Sequence, residues 1–209
     1  KLVTNTYEYF IGTKQNGGTY SEKIITTTNG IKTATTYDEI CSKPIVISRG
    51  IKTTNFKYNN RCLLIEKTST NGDSILMKYH STSEKLTYVK NDEGTYEFTY
   101  DENLNLTYAI KKDKKWVILI YDDKNKISSM TDGNKETDKT RTLIFEYNSI
   151  GKPIKINMKD IGAINVTYNE NGKIERVESQ EGHKIALQVT QAFQNLLQLV
   201  KPSGVNLNM

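Results

Sequence analysis

Apolar and polar positions alternate with a period of two through most of the chain, and a tyrosine closes each alternating run. In GAINVTY (162–168) Ile164 and Val166 share a face with Tyr168, while Asn165 and Thr167 lie opposite. The same arrangement puts Leu143 and Phe145 with Tyr147, Val117 and Leu119 with Tyr121, Tyr96 and Phe98 with Tyr100, and Ile75 and Met77 with Tyr79. Successive side chains of a strand point to opposite faces, so this spacing predicts half-buried strands with the tyrosines on the dry side. One run breaks the rule. In WVILIY (116–121), Trp116, Ile118 and Ile120 make the second face apolar too, which marks a covered strand or a contact surface.

The tyrosines at 37, 58, 79, 100, 121, 147 and 168 are separated by 21, 21, 21, 21, 26 and 21 residues. Each is followed by Asp, Asn or, at His80, histidine. Asp and Asn favour turns because their side chains bond the local backbone. Six or seven positions beyond the tyrosine an Ile or Leu opens the next strand: Leu64, Leu86, Leu106, Ile127, Ile154 and Ile174, with Ile45 one place later still in the least regular unit. A second turn halves each unit, at 48–50, 70–72, 92–94, 112–115, 160–162 and 180–182. The one long gap carries its extra residues at 131–140, where a hairpin absorbs an insertion without disturbing register. Each repeat is thus a pair of strands. Residues 1–36 read as a degraded continuation, which brings the expectation to about 15 strands, and open sheets beyond about ten strands tend to curl, split or close.

After about Leu187 the period turns helical, with Val189, Phe193, Leu196, Leu197 and Val200 on one side and Gln188, Gln191, Asn195 and Gln198 largely outside that stripe. Pro202 and Gly204 are expected to stop this helix. Its bland role is to cap the repeat core; its sharper role is to dock a partner. The expected fold is therefore mainly β, a curled antiparallel meander over 1–186 with clear repeats at 37–186, followed by a C-terminal helix and tail at 187–209.

Composition changes this picture little. Thirteen tyrosines suit strands. The net charge of +5 comes from dispersed lysines, which is the usual pattern of a solvated surface. No apolar run reaches the 18 residues of a membrane-spanning helix. The chain starts at Lys1, as after removal of a signal peptide.

The unit YNENGKI (168–174), with Val177 following, resembles the YD repeat of RHS-type proteins; YNSIGKPIKI (147–156) and YDDKNKISSM (121–130) are looser copies. The resemblance covers about 37–186 and implies a spiralling antiparallel ribbon, export or surface association and, in some members, carbohydrate binding. Large members form a shell around a toxin. This chain is too short to enclose one and lacks an Asp-Pro-x-Gly self-cleavage motif, so encapsulation and toxicity are not carried over.

Cys41 and Cys62 both stand four residues past a repeat tyrosine, where later units have Gly151 and Gly172. Equivalent positions of adjacent repeats point to a disulfide formed in an oxidising compartment. Equivalent strands of a meander lie two spacings apart, roughly 9.6 Å, beyond the limit of about 7 Å between bridged Cα atoms. Turns can close that gap where strands cannot, so the spacing leaves the bond open.

No catalytic constellation emerges. There is no Gly-x-Ser-x-Gly elbow, phosphate-binding glycine loop or His-Glu-x-x-His. His80 replaces a turn Asp or Asn, and His183 follows a turn glycine and is expected to open a strand. Two histidines and two cysteines fall short of a convincing metal site, and no cofactor is expected. Lys111, Lys112, Lys114, Lys115 and Trp116 form the one basic-aromatic cluster, with no nucleic-acid-binding motif beside it. Tyr88, Tyr108 and Trp116, off the dry face, are the candidate sugar-binding aromatics, with Lys112 and Lys115 beside them.

These features define a non-enzymatic, extracytoplasmic structural or interaction module at the cell envelope or surface, its partner an envelope or surface protein or a polysaccharide. The alternatives are a carbohydrate- or lipid-binding module and, less favoured, a hydrolase. Nucleic acid is not expected as a partner.

Overall fold

The computed structural model describes residues 3–159, 161–179, 181–203 and 205. Asp160 and Gln180 of the expected second turns, and Gly204 of the expected helix stop, lie outside the described residues.

Sixteen strands form one sheet in strictly sequential order. They are β1 (Asn5–Thr13), β2 (Thr19–Thr28), β3 (Ile31–Tyr37), β4 (Pro44–Arg49), β5 (Lys52–Tyr58), β6 (Leu64–Ser69), β7 (Ser74–Tyr79) and β8 (Leu86–Asn91). There follow β9 (Gly94–Tyr100), β10 (Leu106–Lys111), β11 (Lys115–Tyr121), β12 (Ile127–Asn134), β13 (Lys139–Tyr147), β14 (Pro153–Met158), β15 (Gly162–Tyr168) and β16 (Ile174–Ser179). The helix α1 (Gly182–Val200) comes last. The antiparallel meander is open: β1 and β16 are its outer strands. The chain divides into two compact units, 1–78 with 89–93, and 79–88 with 94–209.

In the first unit, β1 to β7 pair in succession, and the turns after Tyr37 and Tyr58 are joined covalently by a Cys41–Cys62 disulfide with Cα atoms 5.3 Å apart. The two turns lie on the same side of adjacent hairpins, and turn backbone has the freedom to bring its Cα atoms closer than the strands that lead into it. In the second unit, β9 to β16 carry a core of Tyr96, Phe98, Ala109, Val117, Leu119, Met130, Leu143 and Met158, onto which α1 folds.

The repeat consensus has a physical explanation, and it lies in one edge of each hairpin. Register slips by one residue where Tyr37, Tyr58, Tyr121, Tyr147 and Tyr168 meet the following strand. The extra residues are Ile45, Ile65, Ser128, Ile154 and Glu175, each second in its strand. A bulge re-aims side chains; here it puts the first residue of the strand and the one three places on, such as Ile127 and Met130, on the same side. Pro44 and Pro153 open β4 and β14, the strand position a proline tolerates.

Five of the repeat tyrosines then reach back to the residue that opens the preceding strand. The hydroxyls of Tyr58, Tyr100, Tyr121, Tyr147 and Tyr168 donate to the carbonyls of Pro44, Leu86, Leu106, Ile127 and Pro153, at 2.7, 2.8, 2.8, 2.7 and 2.8 Å. The residue after the tyrosine ties its turn. Asp122 Oδ1 accepts from the backbone N–H of Lys124 and Lys126, and Asn59, Asp101, Asn148 and Asn169 act alike. Four places past the tyrosine the backbone is left-handed, at Cys62, Leu104, Asn125, Gly151 and Gly172, which is why glycine is favoured there. The lysine beyond the turn lies over the next repeat's tyrosine ring: Lys43 over Tyr58, Lys85 over Tyr100, Lys126 over Tyr147 and Lys152 over Tyr168, at 5.1–5.8 Å. Lys43 and Lys152 also donate to the carbonyls of Cys62 and Gly172. Tyrosine, Asx, glycine and lysine are thus four parts of one clamp between neighbouring repeats.

Burial raises the pKa of Tyr79 and Tyr100 above 10.0, and burial followed by a nearby acid (Asp38, Asp101 and Asp122 respectively) raises those of Tyr58, Tyr121 and Tyr147. A raised folded-state pKa means the fold favours the neutral phenol. This contribution is complete below the unfolded value of about 10 and is lost as pH rises through the folded values. Thermal unfolding scans between about pH 8 and 11 should show a fall in Tm that begins near pH 10. Tyr100→Phe combined with Tyr121→Phe should flatten that fall. Tyrosinate absorbance appearing at the ordinary pKa while the fold persists would contradict the assignment.

The helix differs from expectation in two ways. It starts at Gly182, so His183 lies in its first turn and opens no strand. Ile185 stands four, seven and fourteen places before Val189, Ala192 and Leu199, which extends the helical period backwards through residues that also fit alternation. The buried stripe is Ile185, Ala192, Asn195, Leu199 and Val200. Val189 and Leu196 are half-buried, whereas Phe193 and Leu197 are exposed, Phe193 meeting Phe145 edge to face at 6.1 Å. At its end, Lys201 N–H donates to the Leu197 carbonyl, and Pro202 is buried.

Candidate functional site: a basic, amide-rich cleft beside the C-terminal helix

The extra residues of the long repeat lengthen the β12–β13 hairpin, which stands next to α1. The alternation that puts Tyr147, Phe145 and Leu143 on the dry face continues one step to Arg141, and Asp132 faces it as its cross-strand partner. Asp132 is only 2% exposed. Arg141 holds it with two bonds, Nε to Oδ1 at 3.0 Å and Nη2 to Oδ2 at 2.6 Å, and Asn195 Nδ2 of α1 adds a third to Oδ2 at 2.7 Å. The remaining Arg141 nitrogen, Nη1, donates to Gln188 Oε1 and Gln191 Oε1 at 3.2 and 2.8 Å. Lys115 Nζ donates to Gln198 Oε1 at 3.1 Å. A buried carboxylate is tolerable only when paired and hydrogen-bonded, and this one is. The glutamines expected to lie outside the helix stripe therefore face the sheet.

Around this network opens a cleft of about 740 Å³. Four cations (Lys115, Lys139, Arg141 and Lys159) line it together with the amides of Asn134, Gln188, Gln191, Gln194, Asn195 and Gln198 and the hydroxyls of Thr137, Thr140 and Thr142. Among the described residues, no carboxylate and no aromatic ring lines it. Such a surface offers donors and positive charge to a polar, anionic ligand and little to a lipid.

The sequence-derived candidates are dispersed. Lys115 belongs to the cleft. Lys112 projects from the exposed β10–β11 turn. Trp116 is half-buried on the opposite face, its indole lying on Gly133 across the β11–β12 ladder where any side chain would collide with it. Tyr108 pairs with Ile118, and Trp116 with Ile110, so an apolar stripe runs across β10 and β11. Its outer members Ile118 and Ile120 are exposed, as is Ile144 on β13. Tyr88 is half-buried on β8 at the place in its repeat that Tyr108 holds in the next. Val189, Leu196 and Val200 serve helix packing. His80 holds its turn as an Asx would, Nδ1 lying 3.4 Å from the Ser83 backbone N–H. Among the described residues, no group of three or more His, Cys, Asp or Glu side chains is placed to hold a metal ion, and no helix is long and apolar enough to cross a membrane.

Asp132, Arg141 and Asn195 were missed because each belongs to a polar type normally assigned to solvent. The available signal was a charged residue at the dry-face position two before Leu143.

Comparison with known proteins places the fold. No protein-family model matches the chain, and no curated protein matches it in sequence. Solved structures do. The chain is similar to the crystal structure of TcdB2-TccC3 without its hypervariable C-terminal region, with a TM-score of 0.57 and 12% identity over 84% of this chain and 11% of that one. It is also similar to TcdB2-TccC3 itself (TM-score 0.51, 12% identity, 79% of this chain and 12% of that one). A third match is TcdB2-TccC3-Cdc42 (TM-score 0.50, 12% identity, 83% and 11%). The chain thus spans about an eighth or less of the proteins it resembles. At this identity the likeness defines a class of fold: a long antiparallel β meander built from repeated hairpins.

Proposed function

We propose that the chain is a non-enzymatic member of the YD-repeat, RHS-type class, exported, and acting as a structural or interaction module at the cell envelope or surface. The observation that carries this is the clamp of tyrosine, Asx and lysine repeated along the sheet, which spends the motif's residues on joining hairpins rather than on chemistry. The Cys41–Cys62 bond supports an oxidising compartment. The likeness in fold to TcdB2-TccC3 and to TcdB2-TccC3-Cdc42 supports a protein partner. The apolar stripe with Ile118 and Ile120 at its exposed margin is a surface on which such a partner could rest.

The test is a photo-reactive residue in place of Ile120, introduced into the exported chain in intact cells. An adduct with an envelope or surface protein is the expected result. Adducts confined to cytosolic proteins, or substrate turnover by the purified chain that one carboxylate substitution abolishes, would overturn the proposal. The cleft favours a second reading, an acidic polysaccharide as ligand. Retention of a uronic-acid polymer that disappears on Lys139→Gln and Lys159→Gln would establish it.

A further inference from the structure

At β16 the clamp lacks its tyrosine. Residues 169–209 contain no tyrosine, so within this stretch the turn after Tyr168 and the strand β16 have no following tyrosine. In five earlier repeats the carbonyl of the residue that opens the strand accepts a hydroxyl from the next tyrosine. In β16 that residue is Ile174, and among the described residues no tyrosine hydroxyl reaches its carbonyl. Lys173 corresponds to Lys43, Lys85, Lys126 and Lys152, each of which lies over the next tyrosine ring; Lys173 has none.

Packing shows the same gap. The residue three places into the strand is 0% exposed at Val89, 0% at Ala109 and 1% at Met130, but its counterpart Val177 is 57% exposed. Ile174 is exposed where Leu86 is buried. The chain leaves β16 for α1 instead of forming another strand, so the outer edge of β16 keeps its backbone groups unpaired by any described strand. An unpaired edge with apolar side chains is a template for strand addition.

We infer that the outer edge of β16 binds an extended strand of a partner protein, antiparallel, with alternating apolar residues and a terminal tyrosine. This rests on reading the chain as a repeat-built interaction module and is independent of the cleft. The partner's tyrosine hydroxyl meets the Ile174 carbonyl, its ring lies under Lys173, and its apolar residues cover Ile174 and Val177. The continuity of the existing ladder specifies these contacts. A second copy of the chain is not the occupant: the strands that end in a repeat tyrosine each have both edges paired already, and β1, the other outer strand, ends in Thr13 and brings no terminal hydroxyl-bearing ring to Ile174 and Lys173.

The experiment uses the whole chain and a fluorescent, end-blocked peptide with the sequence of residues 94–100, GTYEFTY, read by anisotropy and by amide shifts of β16. Saturable binding with shifts at 174–179 is expected. Removing the last hydroxyl (GTYEFTF) should weaken it about 2- to 10-fold, the range of one net hydrogen bond. Ile174→Lys with Val177→Lys should abolish it; both side chains are exposed, and circular dichroism confirms that the variant folds. Lys32→Gln, exposed on β3, should change nothing. No saturable binding, binding indifferent to the Ile174 and Val177 changes, or binding as tight for GTYEFTF overturns the inference. Self-association of the chain that the double variant removes would overturn the choice of occupant. Each of these failures leaves the Ile120 adduct measurable, so the broader functional reading is judged separately.

Discussion

Replacing Arg141 by alanine should cost about 3–5 kcal/mol, the range seen when one partner of a buried ion pair is removed. Among the described residues, Asp132, 2% exposed, would keep the Asn195 amide alone as a side-chain hydrogen-bond partner, and its charge would be buried without compensation. The same substitution removes the bonds to Gln188 and Gln191, which attach the middle of α1 to β13. The damage should therefore be localised. Hydrogen exchange is expected to rise first along α1 and the β12–β13 hairpin, while the amides of β2 to β6 keep their protection. A control separates charge from packing: Asp132→Leu together with Arg141→Met removes both charges and should cost clearly less than Arg141→Ala alone. Equal losses for the two variants would mean that packing, not the ion pair, holds the helix.

The second large effect is expected at the disulfide. Cys41 and Cys62 close a loop of sequence separation 21. The chain-entropy estimate for such a loop is about 3 kcal/mol, within the range of about 2–5 kcal/mol for removing a native disulfide from a small secreted domain. Cys41→Ser with Cys62→Ser should lower the denaturant midpoint of the first unit accordingly, with little change in the second. Cys62 stands at a left-handed position, φ 58°, that Gly151 and Gly172 take in later repeats. Cys62→Gly with Cys41→Ser should accordingly recover part of the loss, because glycine adopts that backbone without strain. If the serine variant unfolds at the wild-type midpoint under reducing and oxidising conditions alike, the bond contributes nothing to the fold.

Both effects act where local pattern and three-dimensional placement diverge. The disulfide could be proposed from the equivalence of Cys41 and Cys62, but spacing between strands argued against it. Turn geometry, which brings the Cα atoms to 5.3 Å, resolved the conflict. The helix was legible as a helix, yet its buried face was not. Val189, Leu196 and Val200 of the apolar stripe pack as it implies, but Asn195 is buried and Gln188 half-buried while the more hydrophobic Phe193 and Leu197 are exposed, so the stripe located only part of the inward face. A single buried ion pair in the sheet recruits amides, and that preference decided which face of α1 turns inward.

The cleft was invisible for a related reason. Its residues come from the β11 start, the β12–β13 hairpin, the β14–β15 turn and α1, and none is unusual where it stands. A lysine in a turn or a glutamine on a helix reads as solvated surface. Only their convergence makes a basic, amide-lined site.

What the sequence determined by itself was the periodic part: the two-residue alternation, the 21-residue spacing of the tyrosines, the paired turns and hence a sequential antiparallel sheet. Those are short-range properties, set by backbone geometry and by which side chains tolerate a turn, and they repeat often enough to average out local exceptions. Tertiary structure decided the rest. It determined that five of the tyrosines hydrogen-bond the residue that opens the preceding strand, that α1 docks through a polar network, and that β16 lies at the end of the strand order with no described tyrosine on Ile174. These are long-range pairings, and their energies depend on which groups meet after the chain has folded, which no single stretch of residues encodes.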